Sequence, residues 1–135
     1  MRVDGSCHCG RIAFSAEVDP AAVGVCHCAD CQKLTGSAFR ANVPAPAATF
    51  RILRGEPRLY VKTADSGARR AHAFCPDCGT PIYATAAEGE RTSYSLRIGT
   101  LNQRHALGPP RRQIWTASAL PWAKSLLGVQ AHARQ

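Results

Sequence analysis

Apolar and polar positions alternate along this chain in short runs broken by glycine and proline. In residues 11–16, Ile12, Phe14 and Ala16 alternate with smaller or polar neighbours, the period of a half-buried strand. Asp19-Pro20-Ala21-Ala22-Val23-Gly24 reads as a loop, residues 32–36 are too few for more than one helical turn, and residues 37–43 suit a strand. Pro44 and Pro46 are expected to interrupt any regular element. Strands follow at 49–53 and 59–62, parted by Gly55-Glu56-Pro57, and Asp65-Ser66-Gly67 turns the chain into a strand over 68–74. Residues 82–85 and 92–98 continue the pattern across Glu88-Gly89-Glu90, with Tyr94, Leu96 and Ile98 on one face. Residues 99–112, with Gly108-Pro109-Pro110, read as a long surface loop, and 113–116 as a last strand. Pro121 opens a short helix through Leu126 and Leu127 to Gly128, and the tail frays from Val129. Many short strands with Gly/Pro turns predict an all-β fold, with one domain over 1–135.

Composition narrows the class. Hydrophobic residues make up 45% and charged residues 19% of the 135, too balanced for a disordered chain, and no apolar run approaches the roughly 20 residues of a membrane span. Neither a membrane nor a secretory route is expected, because MRVDGSCHCG lacks the apolar core of a signal peptide. A cytoplasmic, reducing location follows as the expectation. The net charge of +8 is spread from Arg2 to Arg134 with only Arg69/Arg70 and Arg111/Arg112 adjacent. No Lys/Arg block of the nucleic-acid-binding kind exists, so nucleic acid is not the expected partner.

The cysteines change the picture most. Seven in 135 residues is about 5%, below the roughly 8–10% of a disulfide scaffold, and the number is odd. Cys75-Pro76-Asp77-Cys78-Gly79 is a zinc-knuckle pattern: two thiolates on a tight turn, with Gly79 free to take positive φ. Cys7-His8-Cys9-Gly10, if extended, turns both sulfurs the same way and supplies the other half of a closed four-thiolate site. Cys26, Cys28 and Cys31 then share a second zinc with one open position, the construction of a catalytic site. Seven thiolates and two zinc ions bring the charge of +8 to about +5.

Alternation turns His8 and His27 away from their cysteine neighbours, into a hydrogen bond behind the site or into solvent. His72, His105 and His132 have no motif around them. Three other readings of the thiols stay open: a redox pair at Cys28/Cys31, a different partition of the seven, and purely structural sites.

The order of motifs, Cys-x-Cys-Gly near the start, Cys-x-Cys-x-x-Cys before Thr35-Gly36-Ser37, and Phe74-Cys75-x-x-Cys78-Gly79-Thr80, resembles the glutathione-dependent formaldehyde-activating enzymes, a family that includes centromere-protein-V-like members. Gly99-Thr100-Leu101, Ile114-Trp115 and Pro121-Trp122 extend the resemblance. It implies Mss4-like twisted antiparallel sheets built around a structural zinc on Cys7, Cys9, Cys75 and Cys78, and a catalytic zinc on Cys26, Cys28 and Cys31. It also implies a carbon–sulfur lyase that condenses formaldehyde with glutathione.

Three thiolates leave the zinc site with net charge −1, poorly suited to activating water and well suited to a soft ligand. The leading expectation is therefore an enzyme that adds a glutathione-like thiol to formaldehyde or another small aldehyde. Lys33, Thr35, Gly36, Ser37, Arg40 and Trp115 are candidate substrate contacts, with Trp115 and Trp122 as either pocket wall or core. The second reading is a non-catalytic, zinc-stabilised module that binds an acidic protein or nucleic acid.

Overall fold

The computed structural model describes residues 1–134; Gln135, the end of the expected fraying tail, lies outside the described residues. Strand β1 (Arg2–Ser6) buries Val3 between exposed Arg2 and Asp4, and β2 (Ala13–Glu17) buries Phe14 and Ala16. The two pair antiparallel, Val3 opposite Ala16 and Gly5 opposite Phe14. Further strands are β3 (Gly24–Cys26), β4 (Arg40–Pro46), β5 (Arg51–Arg54), β6 (Arg58–Thr63), β7 (Arg69–Phe74), β8 (Pro81–Ala86), β9 (Ser93–Arg97) and β10 (Arg112–Ile114). β5 joins β2 to complete a three-stranded sheet, and the rest form a seven-stranded sheet in the order β10-β3-β4-β9-β8-β7-β6. The protein is all-β, with one seven-residue α-helix among the described residues, α1 (Ala29–Thr35).

The core lies between the sheets. Val3, Ile12 and Phe14 meet Val43, Ala45 and Leu96, and Leu101 closes one end. Phe50 stacks on Tyr94 at 4.2 Å and meets Tyr83 edge-on at 5.1 Å, the second a T-shaped geometry that suits the ring quadrupole. Cross-strand partners share a face. Val43, Leu96 and Tyr83 are successive partners on the core face. The opposite face brings together Cys26 with Arg40, Asn42 with Arg97, and Tyr60 with His72. α1 lies over that outer face, tied to β6 by the Lys62–Asp30 ion pair.

Several expectations need correction. Pro44 and Pro46 lie inside β4: β3 begins at Gly24, opposite Asn42, so past Asn42 that edge of β4 has no neighbour, and residues with no N–H to donate fit there. β10 pairs with β3 in parallel, the one departure from antiparallel pairing among the described strands. β1 was not foreseen, because glycine and charge mask the one buried valine. The segment 99–112 is a surface loop only in part, since it contains two 3₁₀ turns and buries Leu101 opposite Gly5. The expected helix from Pro121 stops after one 3₁₀ turn at Lys124, leaving Leu126 and Leu127 exposed, and Trp122 is exposed as well. No helix among the described residues is long and apolar enough to cross a membrane.

Candidate metal centres and the cleft beside them

Four sulfurs converge where two turns meet. Cys7 and Cys9 sit in the turn between β1 and β2, where Gly10 N–H donates to Cys7 O at 3.1 Å. The turn replaces the extended Cys-x-Cys expected from alternation, yet it still gathers the sulfurs, because the chain wraps around them. Cys75 and Cys78 sit in the turn between β7 and β8, where Gly79 takes φ +75° and donates its N–H to Cys75 O at 2.9 Å. Two sulfurs held tetrahedrally at about 2.3 Å from a zinc lie about 3.8 Å apart. Cys7 and Cys9 are 3.6 Å apart, and Cys9 and Cys75 3.8 Å, so the donor set fits the ion. The Thr80 hydroxyl, 3.1 Å from Cys78 Sγ, together with the Cys9 and Thr80 amides, brings that thiol down to about 5.

The second group is built on the junction of β3 and α1. Cys26 ends β3, Cys28 is the helix N-cap, and Cys31 lies in the first turn, donating its N–H to Cys28 Sγ at 3.3 Å. All three sulfurs lie within 4.8 Å of one another, as do the four of the first group, so each cluster could hold a metal ion. Burial, then the Cys28 and Cys26 sulfurs, push the Cys31 thiol up to about 12. Burial opposes ionisation of Cys28 too, but the Cys31 amide, the other sulfurs and Lys62 outweigh it and lower its pKa. Sulfurs driven apart in this way compete for protons that a thiophilic cation would displace.

Neither histidine in these motifs joins its sulfur cluster. His8 is exposed, with its backbone N–H on Thr80 Oγ1. His27 is buried against Phe39 and places Nε2 2.8 Å from Gln113 Oε1, which makes Nε2 the protonated nitrogen. Gln32 extends this support, its amide donating to His27 O and Ser118 O. It thereby fixes α1 against the segment carrying Trp115.

A cleft of about 200 Å³ opens beside Cys28, lined also by Ala29, Asp30, Lys62, Trp115 and Ser118. Lys62 is largely covered and bonds Asp30 at 2.7 Å; burial works against its charge and Asp30 restores it, leaving its pKa raised. Trp115 is the only described non-glycine residue at positive φ, +57°, a conformation that costs a bulky side chain energy and that recurs at binding sites. It is half-exposed and forms a wall of the cleft.

The sequence model of the glutathione-dependent formaldehyde-activating enzymes matches residues 2–118. The chain belongs to that family. A Rhodobacter sphaeroides protein of known crystal structure is similar at 21% identity and a TM-score of 0.62, over 82% of this chain and 98% of that one, a likeness that speaks for the fold alone. No curated protein matches the chain.

Set against the formaldehyde-activating family's name, the expected substrate contacts divide. Trp115 lines the Cys28 cleft, and Lys33 lines a smaller hollow with Asp30, Leu34, Tyr60 and Lys62. Thr35, Gly36 and Ser37 are taken up in ending the helix: Thr35 Oγ1 donates to Cys31 O and accepts from Ser37 N–H, and Gly36 is the left-handed cap. Arg40 is buried on the outer face of the sheet and contacts His72. Lys62, Asp30, His72 and Arg97 were not foreseen. They lie on separate elements, and only strand register brings them to the helix; His105 and His132 are exposed, as ordinary surface residues are.

Proposed function

We propose that this protein joins a small thiol to formaldehyde or a similar small aldehyde in the cleft beside Cys28, as a carbon–sulfur lyase working in the addition direction. The observation that carries this reading is the unequal division of the sulfurs: four close one group between two turns, while three form a group whose Cys28 lines a cleft. The family's printed description supports glutathione as the thiol and formaldehyde as the aldehyde. Cys7, Cys9, Cys75 and Cys78 would hold a structural zinc, and Cys26, Cys28 and Cys31 a second. A zinc ion held by three thiolates supplies a soft Lewis acid with room for one further donor.

The remaining chemistry is assigned to the chain. The thiol gives up its proton, the sulfur pair forms the C–S bond, the carbonyl π pair moves to oxygen, and oxygen takes a proton; nothing is oxidised or reduced. Lys62, held as a cation by Asp30, offers N–H to the oxygen on which negative charge develops. Trp115 forms an apolar wall of the cleft against which the reactants can pack.

Cys31→Ser tests the reading. Zinc content should fall from two equivalents to one with the fold retained, and exchange between glutathione, ¹³C-formaldehyde and their adduct, followed by NMR, should fall to the rate without protein. Wild-type exchange no faster than the uncatalysed background would remove the proposed activity and leave the non-catalytic module.

A further inference from the structure

On the same outer face of the large sheet, beyond α1, lies a cavity of about 290 Å³ walled by Leu34, Tyr60 and Phe74, with Arg40, His72 and Arg97 among its lining residues. Both arginines are more than nine-tenths buried, at 4% and 7% exposure. Neither meets a carboxylate among the described residues: the ion pairs present are Arg11–Asp77, Lys62–Asp30 and Arg69–Glu88. Arg97 instead donates to Asn42 Oδ1 at 2.6 Å and to His72 Nδ1 at 3.1 Å, and Arg40 donates to the same Nδ1 at 3.3 Å. A nitrogen that accepts from two guanidinium groups carries no proton, so His72 is neutral and contributes no counter-charge. Burial, then Arg97 and Arg40, bring it down to about 3. Arg40 Nε, Arg97 Nε and His72 Nε2 are buried without partners.

The charges on this face do not cancel. Cys26 is the direct cross-strand partner of Arg40, so the three-sulfur group is the nearest source of negative charge. Three thiolates with one divalent cation amount to −1, against +2 from the two arginines. One positive charge is left largely shielded from water with neutral partners and no counter-ion, and a charge in that position is unfavourable until an anion meets it. The hollow lined by Asp30, Lys33, Leu34, Tyr60 and Lys62 shares Asp30 and Lys62 with the Cys28 cleft and Leu34 and Tyr60 with the arginine cavity. The three therefore follow one another along α1, each sharing two wall side chains with the next.

We propose that the arginine cavity is a carboxylate subsite, taking an organic monoanion whose carboxylate meets Arg40 and Arg97 and whose apolar body lies against Leu34, Tyr60 and Phe74. A planar guanidinium matches a carboxylate edge to edge, and the apolar wall excludes a fully hydrated anion such as free phosphate. The inference rests on the thiol-and-aldehyde reading in one respect: the carboxylate belongs to a reactant that extends along α1 from Cys28.

The test uses a probe with neither thiol nor aldehyde, so that binding can succeed where catalysis fails. Zinc-loaded protein is titrated calorimetrically with 3-phenylpropionate and with 3-phenylpropanol. The acid should bind saturably and the alcohol at least tenfold more weakly. Arg40→Gln should weaken the acid at least tenfold, and Leu34→Trp, which fills the cavity and keeps both arginines, should do the same while two zinc equivalents remain. Equal binding of acid and alcohol would overturn the proposal. So would normal acid binding by Leu34→Trp, whether or not Arg40→Gln folds, because the arginines would then serve only to balance the sulfur group.

Discussion

Gly5 is placed where a side chain has no room: an added Cβ would lie 2.5 Å from Thr100 O and 2.6 Å from Phe14 Cζ. Gly5→Ala should therefore cost about 1–3 kcal/mol in urea unfolding, the usual range for overpacking. Gly36→Ala meets no atom but must hold φ +66°, and should cost about 1–2 kcal/mol. His72 gives a pH-dependent case. Its folded pKa of about 3, set by burial and then Arg97 and Arg40, lies below the unfolded value near 6.5. The stability tied to its neutral form is thus fully present above pH 6.5 and is lost as pH falls toward 3. His72→Gln should flatten the decline of the urea midpoint between pH 6.5 and 5 at constant zinc content; parallel slopes for the two proteins would remove His72 as the linked group. Residues of this kind divide sharply in legibility. The seven cysteines announce their chemistry in three motifs whose members lie a few positions apart, whereas Arg40, His72 and Arg97 become a group only when β4, β7 and β9 take their register.

The helix α1 shows what an element needs beyond its own sequence. Seven residues are well short of the roughly 12–15 at which an isolated helix becomes even marginally stable, and none of its side chains is fully buried. Cys28 caps its first turn, Cys31 lies within it, the Gln32 side chain ties back to His27 O, and Thr35 and Gly36 close its far end. Pattern reading sees one turn over 32–36, because the cap is a cysteine rather than the usual serine, threonine or aspartate. A cation on Cys26, Cys28 and Cys31 would join β3 to the helix, so its removal should release the helix first. Withdrawing one zinc equivalent with a chelator should speed amide exchange over 29–35 at least tenfold and leave β4 and β9 protected. Unchanged exchange would mean that the Asp30–Lys62 pair and Gln32 hold the helix alone. The strands were legible for a different reason: alternation marks a buried face wherever one exists. It failed at β4, where a missing neighbour rather than side-chain pattern makes two prolines acceptable, and at Pro121, where no apolar surface waits for Leu126 and Leu127.

At the scale of the whole molecule, the four-sulfur group bridges the two sheets at one junction. Cys7 and Cys9 belong to the small sheet's turn, Cys75 and Cys78 to a turn of the large sheet, and Arg11 and Asp77 pair across the same junction. That ion pair is exposed on both sides, and such pairs contribute about 0–1 kcal/mol, too little to replace a metal cross-link. The three-sulfur group lies on one sheet and its helix, so losing it should leave the core between the sheets intact. The two groups should therefore fail differently under the same substitution. Cys78→Ser is expected to abolish the cooperative thermal transition, because a three-ligand site must now hold the sheets together with water in reach of the fourth position. Cys31→Ser is expected to keep a cooperative transition within a few degrees of wild type, since about 1 kcal/mol shifts a domain of this size by roughly 2–8 °C. Calorimetry with metal analysis on both variants decides the assignment. Equal damage by the two substitutions would make both groups structural, and a cooperative, unshifted transition in Cys78→Ser would remove the cross-link from the account of how the two sheets stay together.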